Sequence, residues 1–463
     1  MTMRFHNTRT RKKEVFEPRN SGAVGLYTCG PTVYDFAHIG NFRAYVWEDL
    51  LRRTLEATGY KVHHVMNLTD VDDKTILNSA KAGVSLEEYT RKYIDGFFAD
   101  MKALNVLPAH EYPRATQHVE EMVALVERLR EKGHTYESQG SIYFRIDTFP
   151  NYGVLSGVDP STIRSGESVD SDEYEKEDVR DFVLWKAAKS GEPSWNTRLG
   201  VGRPGWHLEC SAMSMKYLGE SFDIHTGGAD NIFPHHENEI AQSEAATDVR
   251  FVNYWLHCAH LIVDGKKMSK SEGNYHTLRD LLERGHSARA IRYLLLSAHY
   301  RKQLNFTMEG IEQASVAVGR LDDFRDRVAR EQVPEGSNEQ LRQRIEAGRA
   351  QFHAALEDDL NSAGALGALF ELLRDVNAAY DEEVVRTAEA EALQEFLQVV
   401  ENVLGLGRRE EVLLDEDVEK LIEEREAARK DKDFARSDAI RDELKARGIL
   451  LEDCPTGVRW KRG

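Results

Sequence analysis

Between Val24 and Leu68 the chain reads as strand, helix, strand, and this order limits what it can fold into more than any other feature. The first strand is Val24-Gly25-Leu26-Tyr27-Thr28-Cys29, followed by a turn containing Gly30 and Pro31. A helical stretch then sets Val46, Leu50, Leu51 and Leu55 on one face and stops at Gly59, and Val62 to Leu68 forms the second strand. Two strands joined through a helix pair in parallel, because the crossover returns the chain to the same end of the sheet. The fold class is therefore α/β.

A second portion of this kind begins near Trp206, with Phe222-Asp223-Ile224-His225 as a strand, Pro234 to Ala246 as a helix and a continuation through Val252 to Val263. The two portions are expected to complete one sheet. Between them, Ser85 to Arg130 has helical patterning, while Gly133 to Pro193 carries short β-like pieces such as Ser141 to Arg145 among acidic loops and reads as an insertion. After Met308 long helical patterns take over, among them Gly364 to Tyr380 with Leu366, Leu369, Phe370, Leu373 and Val376 on one side. A linker at Gly405-Leu406-Gly407 leads to two charged helices and a short β-like end.

A length of 463 residues suits about three structural units. No apolar run has the length of a signal peptide or a membrane span, and the four cysteines, Cys29, Cys210, Cys258 and Cys454, are scattered as in a reducing compartment. The expectation is a soluble cytoplasmic protein with no membrane partner and, lacking heptads, a monomer. A net charge of −18 argues by itself against a nucleic-acid partner. The tail differs locally: Arg425 to Gly463 holds eleven Lys or Arg against eight Asp or Glu. Arg425, Arg429, Lys430, Arg436, Arg441 and Lys445, then Arg459-Trp460-Lys461-Arg462, offer cations for phosphate and an aromatic for base stacking. An ordinary solvated helix pair has the same composition.

The turn after the first strand leads to His38-Ile39-Gly40-Asn41 at the start of a helix, where exposed N–H groups and the helix dipole favour an anion. Gly40 admits a nucleotide close to the backbone, and His38 and Asn41 are donors for phosphoryl oxygens. Alone, the tetrapeptide reads more readily as a loop histidine and a helix-capping Asn. Further on, Lys267-Met268-Ser269-Lys270-Ser271 lies in a polar loop after Leu261-Ile262-Val263. Two lysines on such a loop can close over a triphosphate and neutralise a departing pyrophosphate.

His38 to Asn41 and Lys267 to Ser271 resemble the two signature motifs of class I aminoacyl-tRNA synthetases. Tyr27 to Asp35, Asn67 to Lys74, Gly202 to Ser211 and Phe233 to Glu239 narrow the resemblance to the cysteine-specific synthetases. One departure is Asn41, where the class pattern has histidine. The resemblance implies a Rossmann-like catalytic domain in two halves, 1–118 and 201–258, around a connective insertion at 119–200. A signature-loop and stem-contact region at 259–308, a helical bundle at 309–404 and an α+β anticodon-binding unit at 405–463 would follow. It further implies activation of L-cysteine by ATP with Mg²⁺, transfer to tRNA(Cys), and His38, Asn41, Lys267 and Lys270 as catalytic residues that with Gly40 bind ATP. Thr69, Trp206 and Asp230 would contact the amino acid.

Cys29 and Cys210 are too far apart for zinc-finger spacing, while His235 and Glu239 stand at i and i+4 on one helix face. All four are acceptable zinc ligands, but free cysteines are usually core residues and such a pair is usually a surface hydrogen bond. The resemblance implies one Zn²⁺ held by Cys29, Cys210, His235 and Glu239, with His236, Glu237 and Glu209 pointing elsewhere. Discrimination of sulfur from oxygen by about 10⁴ corresponds to about 5.5 kcal/mol, more than a hydrophobic pocket extracts from one small group. Asp70, Asp72 and Asp73 are expected to cap a helix rather than hold magnesium, and Cys258 and His63-His64 to be structural. Two rival readings share this core: a ligase that transfers activated cysteine to an amino sugar, and a non-catalytic zinc- or RNA-binding relative.

Overall fold

The computed structural model describes residues 2–159, 161, 180–269, 271–407, 416–447, 449–454 and 457–462. A hairpin of β1 (Arg4–Asn7) and β2 (Lys12–Val15) opens the chain. There follow β3 (Ala23–Thr28), α1 (Ile39–Ala57), β4 (Lys61–Met66), α2 (Asp73–Ala82), α3 (Leu86–Ala103) and α4 (Val119–Glu131). Next come β5 (Thr135–Ser138), β6 (Ser141–Phe144), β7 (Phe182–Ala187), β8 (Trp195–Thr197) and β9 (Gly200–Pro204), which form one antiparallel sheet. The chain then returns through α5 (Trp206–Leu218), β10 (Phe222–Gly228), α6 (Glu237–Thr247) and β11 (Val252–Cys258).

The expected single sheet forms: β11, β10, β3 and β4 lie side by side in that order, all parallel. After β3 the chain steps to β4 on one side, and β10 later pairs on the other. The order therefore reverses between β3 and β10, where the helices that follow diverge and leave a crevice at the carboxyl ends of the strands. Cys29 follows β3, Thr69 follows β4 and Asp230 follows β10, so all three stand on that rim. Helix α1 starts on the same rim and buries Val46, Leu50, Leu51 and Leu55, the face its periodicity marks. Of the acidic cluster, Asp72 caps α2 through Thr75 N at 2.8 Å as expected, whereas Asp70 accepts from Thr116 N at 2.9 Å and Asp73 pairs with Lys186 at 2.9 Å.

Past the sheet come β12 (Leu261–Val263), β13 (Lys266–Lys267), α7 (Leu278–Glu283), α8 (Ala288–Leu296) and β14 (Leu304–Phe306). The helical part is α9 (Met308–Arg330), α10 (Glu339–Glu357), α11 (Ser362–Asp381) and α12 (Thr387–Leu404). One apolar core runs unbroken from Leu26 and Leu50 through Leu295 to Leu369 and Leu404, so the helices pack onto the α1 side of the sheet. A last unit contains α13 (Glu416–Lys430), α14 (Phe434–Ala446) and an antiparallel hairpin of β15 (Ile449–Cys454) and β16 (Gly457–Arg462) around Val418, Ile440, Leu444 and Ile449. Among the described residues, no helix is long and apolar enough to cross a membrane.

Candidate functional site

The two signature stretches meet at the start of α1. His38 is the N-cap: its Nδ1 accepts from Asn41 N at 3.2 Å, and Asn41 Oδ1 accepts from His38 N at 3.0 Å. An accepting Nδ1 puts the hydrogen of a neutral ring on Nε2, making that nitrogen a donor. The capping Asn and the motif Asn are thus the same residue. Ile39 N donates to His276 O at 2.9 Å, and the His38 ring lies 5.3 Å from that of Tyr275, which ties α1 to the second loop. A Cβ on Gly40 would stand 2.9 Å from the His38 ring and 3.2 Å from Met268 Cε, so a larger residue would crowd the His38 ring and make Met268 give way. Lys267 is exposed on β13, and Asn274 closes the turn through Ser269 N at 2.9 Å and Lys267 O at 3.2 Å. Lys270 lies outside the described residues.

Cys29, Cys210, His235 and Glu239 converge, with their ligand atoms all within 4.8 Å of one another. Gly30 permits this at the first ligand: a Cβ there would sit 1.8 Å from Asn67 O. Cys210 comes from α5, Glu239 from α6 and His235 from the turn Ile232–His236 that leads into α6. The backbone breaks at Phe233, extended at φ −140° and ψ 131°, immediately before the expected helix over Pro234 to Ala246. His235 Nε2 is 3.1 Å from Glu239 Oε1, yet that buried oxygen has no aligned hydrogen-bond partner. Close approach without alignment is what two ligands of one ion show, and two thiols beside an imidazole and a carboxylate suit zinc.

Hydrogen bonding with Cys210 and then burial push Cys29 well above the usual thiol range. At Cys210 the bond with Cys29 pulls downward, but burial and Glu239 outweigh it and the thiol is raised. Left to itself the pair is neutral; a coordinated dication deprotonates both.

A second quartet, Cys29, His225, His236 and Glu239, meets the same distance criterion. Its atoms are already committed: His225 Nε2 donates to Glu239 Oε2 at 2.9 Å, and His236 lies between Cys29 Sγ at 3.2 Å and His257 Nε2 at 2.8 Å. By contrast, His235 turns Nδ1 to His207 at 2.9 Å and keeps Nε2 for the site, the arrangement of a metal-bound imidazole. His236 does not point elsewhere as expected, since it faces Cys29. Glu237 does, accepting from the backbone N–H groups of Gly153 at 2.9 Å and Ser156 at 2.7 Å. Buried Glu209 is driven well above the usual carboxylate range by burial, against a hydrogen bond from Thr69.

Trp206 stacks on His235 with centroids 4.3 Å apart, Thr69 is buried, and Asp230 is exposed in the turn after β10. His207, His225 and His257 form, with His236, an imidazole layer that sequence reasoning missed. Its only signal was histidines on the apolar strands β10 and β11. In the last unit Arg425 is buried and Arg436 pairs with Glu424 at 2.7 Å, so neither is a free surface cation of the kind its helix suggested. The side chains of Arg459 to Arg462 and Cys454 lie outside the described residues.

Residues 15–316 match the family model of the class I (C) transfer-RNA synthetase catalytic domain, 351–408 the DALR domain and 412–460 the cysteinyl-tRNA ligase anticodon-binding domain. The cysteine–tRNA ligase of Brachyspira hyodysenteriae is 52% identical over 470 residues, covering 99% of each chain. This chain belongs to the cysteine–tRNA ligase family. As a class I ligase of that family it uses ATP. The cysteine–tRNA ligase of Solibacter usitatus is 49% identical over the whole of both chains. Among solved structures, methionyl-tRNA synthetase from Mycobacterium tuberculosis, bound to methionyl-adenylate, superposes with a TM-score of 0.61 at 17% identity, covering 83% of this chain and 90% of its own. A leucyl-tRNA synthetase ternary complex from Agrobacterium radiobacter gives 0.60 at 12% identity, with 84% and 85% covered. At such identities these two likenesses speak for the fold alone.

Proposed function

We propose that this member of the cysteine–tRNA ligase family charges tRNA(Cys) with L-cysteine in the cytoplasm, and that Cys29, Cys210, His235 and Glu239 hold a zinc ion that recognises the thiol. The convergence of these four side chains from separate elements carries the reading. Zinc bound there supplies a bond to sulfur that a serine hydroxyl makes far less well. The imidazole layer of His207, His225, His236 and His257 orients the ligands from behind.

In the first step the cysteine carboxylate attacks the α-phosphate of magnesium-bound ATP, the bond to the β-phosphate oxygen breaks, and pyrophosphate leaves with its electrons. His38 Nε2 is suited to donate to the phosphoryl oxygens as charge develops, while Lys267 and Lys270 neutralise the leaving group. Thr69 and Asp230, which follow β4 and β10, and Trp206, which opens α5, are assigned to the cysteine substrate, and Asp230 is suited to the ammonium group. In the second step a terminal ribose hydroxyl of the transfer RNA takes the cysteinyl group and AMP departs. Residues 405–463 contact the anticodon arm.

The deciding experiment is transfer of radiolabelled cysteine to purified tRNA(Cys) with ATP, with serine as competitor and a zinc-stripped sample alongside. Zinc-dependent charging that ignores serine is expected. Pyrophosphate exchange with cysteine but no charged RNA would move the acceptor to an amino sugar, and no exchange at all would leave a non-catalytic relative.

A further inference from the structure

The stretch that reads in sequence as a linker, Gly405-Leu406-Gly407, and the end of the helix before it are held by side chains from four other places in the fold. Helix α12 ends with unpaired carbonyls, as every helix does, and Gly405 at φ +62° makes the usual left-handed cap through its N–H to Glu401 O at 2.8 Å. The remaining carbonyls do not turn to water. Arg53 of α1 donates to Asn402 O at 2.9 Å, and Arg292 of α8 to Leu404 O at 2.7 Å. Asn105, in the loop after α3, donates to Gly405 O at 2.7 Å, and Arg289 of α8 donates to Leu406 O at 2.7 Å and Gly407 O at 3.1 Å. Arg325 of α9 adds a bond to Gly407 O at 2.7 Å.

These donors are themselves fixed. Arg292 and Arg53 share Asp49 of α1, whose carboxylate is held below its usual range because the two guanidiniums outweigh its burial. Arg289 grips both oxygens of Asp322 at 2.9 and 2.7 Å. A Cβ on Gly405 would lie 2.5 Å from Arg292 Nη2, so the fit leaves no slack. One rigid helix, α1, therefore carries His38 and Asn41 at its start and, along its length, the Asp49–Arg53 anchor of the chain that enters the C-terminal unit.

We propose that Arg289, Arg292 and Arg325 are positioning residues for transfer-RNA charging, clamping the carbonyls of residues 404–407 so that RNA bound by the C-terminal unit is held in one register with α1. This rests on the proposed charging function and concerns a step that cysteine activation does not share. Clamping residues 404–407 fixes the point on the catalytic body from which the chain leaves for the C-terminal unit, which narrows where the acceptor end of a bound RNA arrives, and the cost of misplacement falls on transfer.

The test compares Arg289→Gln and Arg292→Lys with the unaltered chain in three measurements: cysteine-dependent pyrophosphate exchange, charging of full-length tRNA(Cys) against an acceptor-stem minihelix, and hydrogen–deuterium exchange of the 405–407 amides. Pyrophosphate exchange and minihelix charging should stay within about two-fold, kcat/KM for full-length RNA should fall about ten-fold towards the minihelix value, and the 405–407 amides should exchange faster. Equal losses in exchange and charging would mean a purely structural role and overturn the proposal, as would unchanged charging of full-length RNA. If the unaltered chain activated no cysteine, the proposed function would fall on its own account. The amides would still judge the clamp, because unchanged protection in Arg289→Gln removes it.

Discussion

Glu239 sits at the crossing of two candidate ligand sets, its Oε1 3.1 Å from His235 and its Oε2 2.9 Å from His225. If Cys29, Cys210, His235 and Glu239 are the ligands, Cys210→Ser should lose more zinc to a competing chelator than His225→Gln. His207→Gln, which removes only the support behind His235, should weaken retention about 10- to 100-fold. The reverse ranking of Cys210→Ser and His225→Gln would assign the ion to the second set. His64 offers an independent test at this scale. Burial pushes its imidazole down to about 3, with Nε2 2.9 Å from Thr28 Oγ1. The unfolded chain protonates this ring near 6.5, so between 6.5 and 3 the unfolded state binds more protons. Its contribution to stability is complete above pH 6.5 and declines as pH falls through that window, by up to about 1.4 kcal/mol per pH unit. His64→Gln should flatten this limb in urea titrations, and an unaltered slope would show that the ring is not held neutral. The candidate ligands were legible only through motif resemblance, since Cys29 and Cys210 come from distant parts of the chain and no spacing rule joins them.

At the scale of elements, the apolar periodicity of α1 and the runs of β3 and β4 are local properties, and the structure places these elements within about a residue or two of the expected limits. The break at Phe233 was not legible, because hydrophobic periodicity does not report the backbone angles of one residue. The cap of α1 joins stability to chemistry. Asn41→Ala removes the acceptor for His38 N and should cost about 1 kcal/mol in chemical denaturation, whereas Asn41→Asp keeps an acceptor there and should retain most of it. Equal stability of the unaltered and Ala forms would mean that the box is not formed in solution.

Over the whole molecule, the helices from α9 to α12 share one core with the catalytic sheet, a partner that helical patterning alone does not name. An amphipathic stripe says that a face is buried, not which partner buries it. The unit beyond Gly407 has its own small core around Val418, Ile440 and Leu444. Ending the chain after Gly407 should therefore leave pyrophosphate exchange nearly unchanged while charging of full-length tRNA(Cys) falls by at least about ten-fold. Undiminished charging would take RNA recognition away from that unit.

The order of strands and helices, the glycine of the signature loop and the presence of both phosphate-facing motifs follow from local sequence, because turn chemistry and hydrophobic periodicity act over a few residues. Which four side chains meet beside β3 does not, nor does the capture of residues 404–407 by arginines of α8 and α9. Both depend on contacts between residues up to 210 positions apart in a chain of 463, and only packing around a common sheet brings those groups within bonding distance.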